Sequence, residues 1–154
     1  MLKCLNTFRY FGIIAIAIIF CGSVRAYAQY YTIQKYSAEG GVKASGDEQW
    51  ARAGERLEHP FIVVVTDSSG NPAPGVRVTF EITRVPFGSK GHLLERHEVF
   101  TNSKGIARTQ LHLGNKEGEY QISASIQTES PQNFVIFTAY ANARNWAIML
   151  IVGL

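Results

Sequence analysis

The sequence predicts an all-β domain, a sandwich or barrel of six or seven short strands. Three observations carry that expectation. Between Leu57 and Ala141 the apolar residues recur with period two or in short β-branched runs. Clusters of Gly, Pro, Asn and Asp divide these runs at a spacing of roughly ten residues, the rhythm of sandwiches and barrels. No segment from 57 to 141 shows the 3.6-residue period of an amphipathic helix.

The elements follow in order. Residues 29–53 are polar and mixed, with Gly40, Gly41 and Gly46 and no sustained period, and are expected to be a linker or a loosely docked first strand. His59 and Pro60 mark the turn into the next segment. Phe61-Ile-Val-Val-Val-Thr66 is β-branched and too short for a helix. Asp67-Ser-Ser-Gly-Asn-Pro72 is dense turn chemistry, with Gly70 or Asn71 expected at positive φ, and Pro74-Gly75 adds a second turn. Val76, Val78, Phe80 and Ile82 alternate with Arg77, Thr79, Glu81 and Thr83, which puts the apolar set on one face of a strand. Pro86 to Gly91 breaks the pattern, and Glu98 to Thr101 is a short strand. Ala107, Thr109, Leu111 and Leu113 are expected inside, with Arg108, Gln110 and His112 facing solvent. Tyr120, Ile122, Ala124 and Ile126 form the next inward set, and Phe134 to Ala141 the last strand. One apolar and one polar face per strand fits antiparallel sheets around a single core.

Composition narrows the function. The chain has 154 residues, 46% hydrophobic and 18% charged, which is too apolar for a disordered chain. Its net charge of +3 comes from the first 28 residues, where Lys3, Arg9 and Arg25 meet no acid. Residues 29–154 hold 12 Lys/Arg against 12 Asp/Glu. A nucleic-acid partner is therefore not expected, because binding phosphates requires a basic stripe. Lys3 and Arg9, the apolar run from Tyr10 to Cys21 and the small residues of Ala26-Tyr27-Ala28 together read as a Sec-type signal peptide cleaved after Ala28. Ile18, Ile19 and the bulky Phe20 before Cys21 argue against a lipoprotein site. Both cysteines, Cys4 and Cys21, lie in that leader, so residues 29–154 carry no thiol. The body is expected to be exported, as a periplasmic, cell-surface or membrane-tethered module.

Candidate chemistry is thin. His92 and His97, with Glu95 and Glu98 nearby, raise a zinc hypothesis, but their spacing is not one helical turn. On a strand the two would point to opposite faces, so a solvated loop and strand edge is the expectation. Asp67 to Asn71 has one acid where a calcium loop needs alternating acids. There is no Gly-x-Ser-x-Gly elbow and no Ser-x-x-Lys, and Glu117 and Glu119 read as rim charges beside Gly118. Tyr27, Tyr30 and Tyr31 flank the processing site. No catalytic residue, metal ligand or cofactor is expected, and the protein is not expected to be an enzyme.

The residues resemble a known family. Gly54-Glu-Arg-Leu57, Pro60, Val63-Val-Val-Thr-Asp67, Gly70-Asn-Pro-Ala-Pro-Gly-Val76 and Val78-Thr-Phe80 are similar to the bacterial Ig-like domains of the invasin/intimin type. Thr101-Asn-Ser-Lys-Gly105, Ala107, Leu111-His-Leu-Gly114, Gly118-Glu-Tyr120, Ala124 and Phe137-Thr-Ala139 continue the match in order. The resemblance implies an Ig-like antiparallel β-sandwich of about seven strands over residues 54–141. It implies a non-enzymatic extracytoplasmic role in adhesion, binding or spacing, with a protein or glycan at the cell surface as partner.

After Asn142-Ala-Arg-Asn145 comes Trp146-Ala-Ile-Met-Leu-Ile-Val-Gly-Leu154, which is almost wholly apolar. Either a last element docks on the sandwich, or residues 142–154 are a linker and the start of a transmembrane helix, with Trp146 at the interface. Nine helical residues rise about 14 Å against ~30 Å of hydrocarbon, so the segment does not span alone. The expectation is that the sequence is a piece of a longer protein, associated with a membrane through Trp146–Leu154. The junction resembles that of some bacterial sodium/phosphate cotransporter-family proteins, in which such a domain precedes the membrane core. That resemblance implies an alternative role, the N-terminal ectodomain of a truncated sodium-dependent phosphate transporter.

Overall fold

The computed structural model of the chain describes residues 30–37, 42–127 and 133–143. The leader 1–28 and the apolar segment 146–154 lie outside the described residues. Among the described residues the elements are β1 (Thr32–Lys35), a 3-10 turn (Val42–Ser45), β2 (Gln49–Arg52), β3 (Phe61–Thr66), β4 (Arg77–Arg84), β5 (Leu93–Leu94), β6 (Glu98–Phe100), β7 (Ile106–Thr109), β8 (Leu111–His112), β9 (Gly118–Ile126) and β10 (Phe134–Asn142). Their order is β2-β10-β9-β4-β6 in a five-stranded sheet, β1-β3-β7 in a three-stranded sheet, and β5-β8 in a two-stranded ladder. All pairings are antiparallel except β2 with β10, which is parallel.

The expected period-two faces meet as two layers. Val78 and Phe80 from β4, Tyr120, Ile122 and Ala124 from β9, and Phe137 and Ala139 from β10 are fully buried. They face Phe61, Val63 and Val65 of β3 and Ala107 of β7. The Phe61 and Phe137 rings meet across the layers, with centroids 4.9 Å apart and planes tilted by 37°. Tilted contact suits the ring quadrupoles better than a flat sandwich. Each large side chain so buried is worth about 1.5–3 kcal/mol of transfer free energy.

The structure departs from the sequence expectations in four places. The stretch 29–53, expected as linker or loosely docked first strand, supplies β1, the 3-10 turn and β2. Strands of four residues are too short to show a period, and their pairings are long-range: Ile33 with Val65, and Trp50 with Tyr140. Buried Asp47 explains part of this. Its Oδ1 accepts the Thr138 N–H at 2.8 Å, and the Glu48 N–H donates to the Thr138 carbonyl at 2.8 Å. The loop thereby continues the edge of β10 where β2 has not yet begun, and Asp47 Oδ2 also pairs with the Lys35 ammonium. Gly46 makes that turn at φ +76°, where a Cβ would lie 2.1 Å from the Pro60 carbonyl oxygen.

The second departure is at Gln110. The run Ala107 to Leu113, expected as one strand, is two: β7 pairs with β3, and β8 pairs with β5. All four inward residues are buried as expected. Gln110, however, is buried too, because its amide donates to the Leu57 carbonyl while its own carbonyl accepts the Glu95 N–H. His112 is half-buried rather than solvent-facing. Third, β4 carries a bulge at Thr83, where the register against β9 slips between Ile82 and Arg84, so the strict alternation ends at Ile82. Fourth, Trp50, within the stretch expected as a linker or loosely docked first strand, lies on β2, with its side chain outside the core.

The strands define two ends. At the arrival pole lie Thr32, paired with Thr66, the loops 67–76 and 101–105, and the start of β10. At the exit pole lie the 85–91 loop, the 113–117 loop and Asn142, whose carbonyl accepts the Ala53 N–H at 3.0 Å. The eight residues of β4 separate the poles by about 25 Å.

Candidate functional site

The histidine pair tests the zinc hypothesis the sequence raised. Leu93–Leu94 and Glu98–Phe100 are separate strands, and the chain bends between them. His92 and His97 consequently do not point to opposite faces as one continuous strand would require. Both line an open depression of about 420 Å³ together with Glu81, Ile82, Leu93 and Leu94. His97 is exposed, with Nδ1 3.3 Å from the Phe80 carbonyl oxygen. His92 is half-buried, and its Nδ1 has no hydrogen-bond partner. Among the described residues no group of three His, Cys, Asp or Glu side chains converges in a way that holds a metal. Of two further depressions, one contains Arg56, whose Nη2 is 2.8 Å from Glu95 Oε1, and the other is lined by Ile62, Val99, Phe100 and Ile106 together with Arg96, Lys104 and Arg108.

The Asp67 loop is a closed turn. Asp67 Oδ1 accepts the Ser69 and Asn71 N–H groups, both at 2.9 Å, and Gly70 rather than Asn71 takes the left-handed conformation, at φ +81°. The Asn71 N–H is the leading cause that holds the Asp67 carboxyl below its ordinary value. Glu119 pairs with Arg84 at 3.6 Å, while Glu117 is exposed. Tyr30 is exposed and Tyr31 packs partly against the core, whereas Tyr27 lies outside the described residues.

The conspicuous surface is the outer face of the five-stranded sheet. Along β10 the residues that do not enter the core are Phe134, Ile136, Thr138 and Tyr140. Trp50 of β2 sits beside Tyr140, and the two rings stack with centroids 4.4 Å apart and planes 19° from parallel. Phe134 is 55% exposed, Ile136 43% and Trp50 62%, so an apolar stripe runs the length of the strand. β9 flanks it with Gln121, Ser123 and Ser125, directly opposite Thr138, Ile136 and Phe134. No charged residue occurs from Phe134 to Asn142. Sequence reasoning missed this surface because Trp50 lay in the supposed linker. The alternation of β10 alone marked one half of it.

A family model described as bacterial Ig-like domain (group 1) matches residues 42–138. Among solved structures, the chain is similar to the adhesin InvE of Yersinia pseudotuberculosis, at 13% identity and TM-score 0.50, over 74% of this chain and 32% of that one. It is also similar to the D00-D0 domain of intimin, at 23% identity and TM-score 0.46, over 62% of this chain and 44% of that one. The D0-D1 domain of intimin shares 21% identity at TM-score 0.48, over 63% of this chain and 46% of that one. The chain thus spans less than half the length of each, and at such identities the likeness concerns the fold alone. No curated protein matches the chain in a sequence search. The family match takes in well over half of the 154 residues, and its range includes most of the turn and core positions described above: the chain belongs to the bacterial Ig-like domain (group 1) family.

Proposed function

We propose that the protein is a non-enzymatic extracytoplasmic module that binds a cell-surface protein or glycan through the outer face of its five-stranded sheet. The observation that carries this reading is the stripe of Trp50, Tyr140, Ile136 and Phe134, an exposed apolar patch rimmed by Gln121, Ser123 and Ser125. A patch of this kind costs solubility and is characteristic of interaction surfaces. The Sec-type leader sequence supports export. The test is to screen the protein against surface proteins and immobilised glycans, with W50S as control. Binding that weakens tenfold or more in W50S supports the reading. Clean negatives throughout leave only a spacer.

A second reading is a membrane-tethered ectodomain, including that of a sodium-dependent phosphate transporter. It is favoured by the apolar sequence Trp146–Leu154, a few residues beyond the exit pole. Genomic DNA past codon 154, read in all frames, tests it: a following membrane core is expected, and its lack removes the transporter assignment.

A further inference from the structure

The two sheets end together at one flank. β6 is the outer strand of the five-stranded sheet and β7 the outer strand of the three-stranded one, and the 101–105 turn carries the chain from one to the other. Between them lies an open groove of about 590 Å³. Ile62, Val99 and Ile106 give it an apolar lining, and Phe100, 66% exposed, stands beside them. Both ends of the groove are pinned. One end is the 101–105 turn. At the other, Thr109 Oγ1 donates to the Arg96 carbonyl at 2.8 Å and accepts the Arg96 N–H at 3.2 Å. From Gly105 to Thr109 the chain runs about 13 Å between these pins, room for four or five extended residues of an occupant. The opposite flank, where β1 and β2 are outermost, is bridged instead by the ion pair of Lys35 and Asp47.

Charge and backbone both point to what fills the open flank. Arg96, Lys104 and Arg108 line the groove and are exposed, and no acid lines it. None of the three has an ion-pair partner among the described residues. Glu98, the acid of β6, is engaged by Arg77 at 3.7 Å. Three cations gathered at one groove repel one another, and an anionic occupant relieves that repulsion. The backbone adds a second demand. The Phe80 N–H donates to the His97 carbonyl and the Thr101 N–H to the Val76 carbonyl, so residues 97, 99 and 101 turn their amides to β4. Glu98 and Phe100 turn theirs to the open edge. On β7 the Val65 N–H donates to the Gly105 carbonyl, which leaves the Arg108 amide facing away from β3 in the same manner. Alternate free donors and acceptors along an edge match an extended peptide. A sugar chain could use the cations but not this ladder.

We propose that this flank takes an acidic, extended polypeptide segment as an added strand on β6, with its carboxylates against Arg96, Lys104 and Arg108. The site is separate from the Trp50–Tyr140 stripe and does not depend on that stripe binding anything.

The test uses the full chain and an array of random nine-residue peptides made from Asp, Glu, Lys, Arg, Ser, Thr, Val and Ile. Bound sequences are expected to be net acidic, and the tightest is then titrated by fluorescence polarisation. The variant R96Q/K104Q/R108Q is expected to weaken that peptide about tenfold or more, and W50S to leave it unchanged. Raising NaCl from about 0.05 to about 0.5 M is expected to weaken it about tenfold. N-methylating one of the two sets of alternate peptide amides removes ladder donors and keeps every charge, and is expected to cost about tenfold. The charge-reversed variant R96E/K104E/R108E is expected to select basic peptides from the same array, which an unfolded chain would not do. An array with no binder, or with binders showing no acidic bias, overturns the proposal. So does equal affinity for both N-methylated forms, which leaves charge without a strand. A heparin oligosaccharide that binds more tightly than any peptide, and is lost in R96Q/K104Q/R108Q, overturns it in favour of an anionic glycan.

Discussion

The two poles of the sandwich are built on different principles. The arrival pole is stitched by polar side chains to the backbone. Asp67 closes one loop. Asn102 Oδ1 closes another by accepting the Lys104 and Ile106 N–H groups at 2.9 and 3.1 Å. Buried Thr101 joins them, donating to the Ala73 carbonyl at 2.7 Å and accepting the Val76 N–H at 2.9 Å. The exit pole has one such stitch, Asn115 Oδ1 accepting the Lys90 N–H at 2.9 Å, and is anchored besides by one large side chain. The Tyr120 ring is fully buried, and its hydroxyl reaches out to hold the 86–91 and 114–117 loops. Beyond that anchor the exit pole leaves Phe87 bare. The arrival pole is shaped for turning the chain; the exit pole leaves an aromatic residue exposed to water.

Four substitutions sharpen or break this contrast. Y120A removes the core ring and the loop anchor together and is expected to cost about 3–5 kcal/mol in denaturant unfolding. A cost below 1 kcal/mol would mean the exit pole does not depend on its anchor. T101V strips a buried hydroxyl from the arrival pole and leaves the Ala73 carbonyl without that donor, at about 1–3 kcal/mol. D67N acts less, and through pH. The Asp67 carboxyl is held below 3.8, so its contribution is complete above that value and is lost as pH falls through the folded-state value. Wild type is therefore expected to exceed D67N in unfolding midpoint at pH 7, with the gap closing below about pH 3.8. A gap unchanged at pH 2 would show that the charge has no part in the turn. F87S comes last, expected to shift stability by no more than about 0.5 kcal/mol, because the ring touches nothing. A loss of 2 kcal/mol in that variant would place Phe87 in the fold's own packing.

Legibility followed the length of each segment. β4, β9 and β10 run eight or nine residues, so three or four inward positions repeat and their faces are readable. The four inward positions of β7 and β8 were readable for the same reason, though the break at Gln110 was not. Nothing in the Thr-Gln-Leu sequence says that one glutamine amide finds a carbonyl at Leu57. The Asp67 turn was legible because its donors lie two and four residues away. The link from Asp47 to Thr138 crosses 91 positions and leaves no local trace. The exposed apolar stripe was half legible: the outward side chains of β10 alternate, while Trp50 joins them only by a parallel pairing.

The sequence by itself determined the class of fold, the inward faces of the long strands and the chemistry of the turns. Each of these depends on neighbours within a few residues, where period and propensity act. Tertiary structure alone decided that 29–53 contributes two strands, that His92 and His97 share one depression, that Trp50 stacks on Tyr140, and that Phe87 stands at the end from which the chain departs. Those facts depend on which strand lies beside which. That choice is made by the whole core closing at once, and no window along the chain contains it.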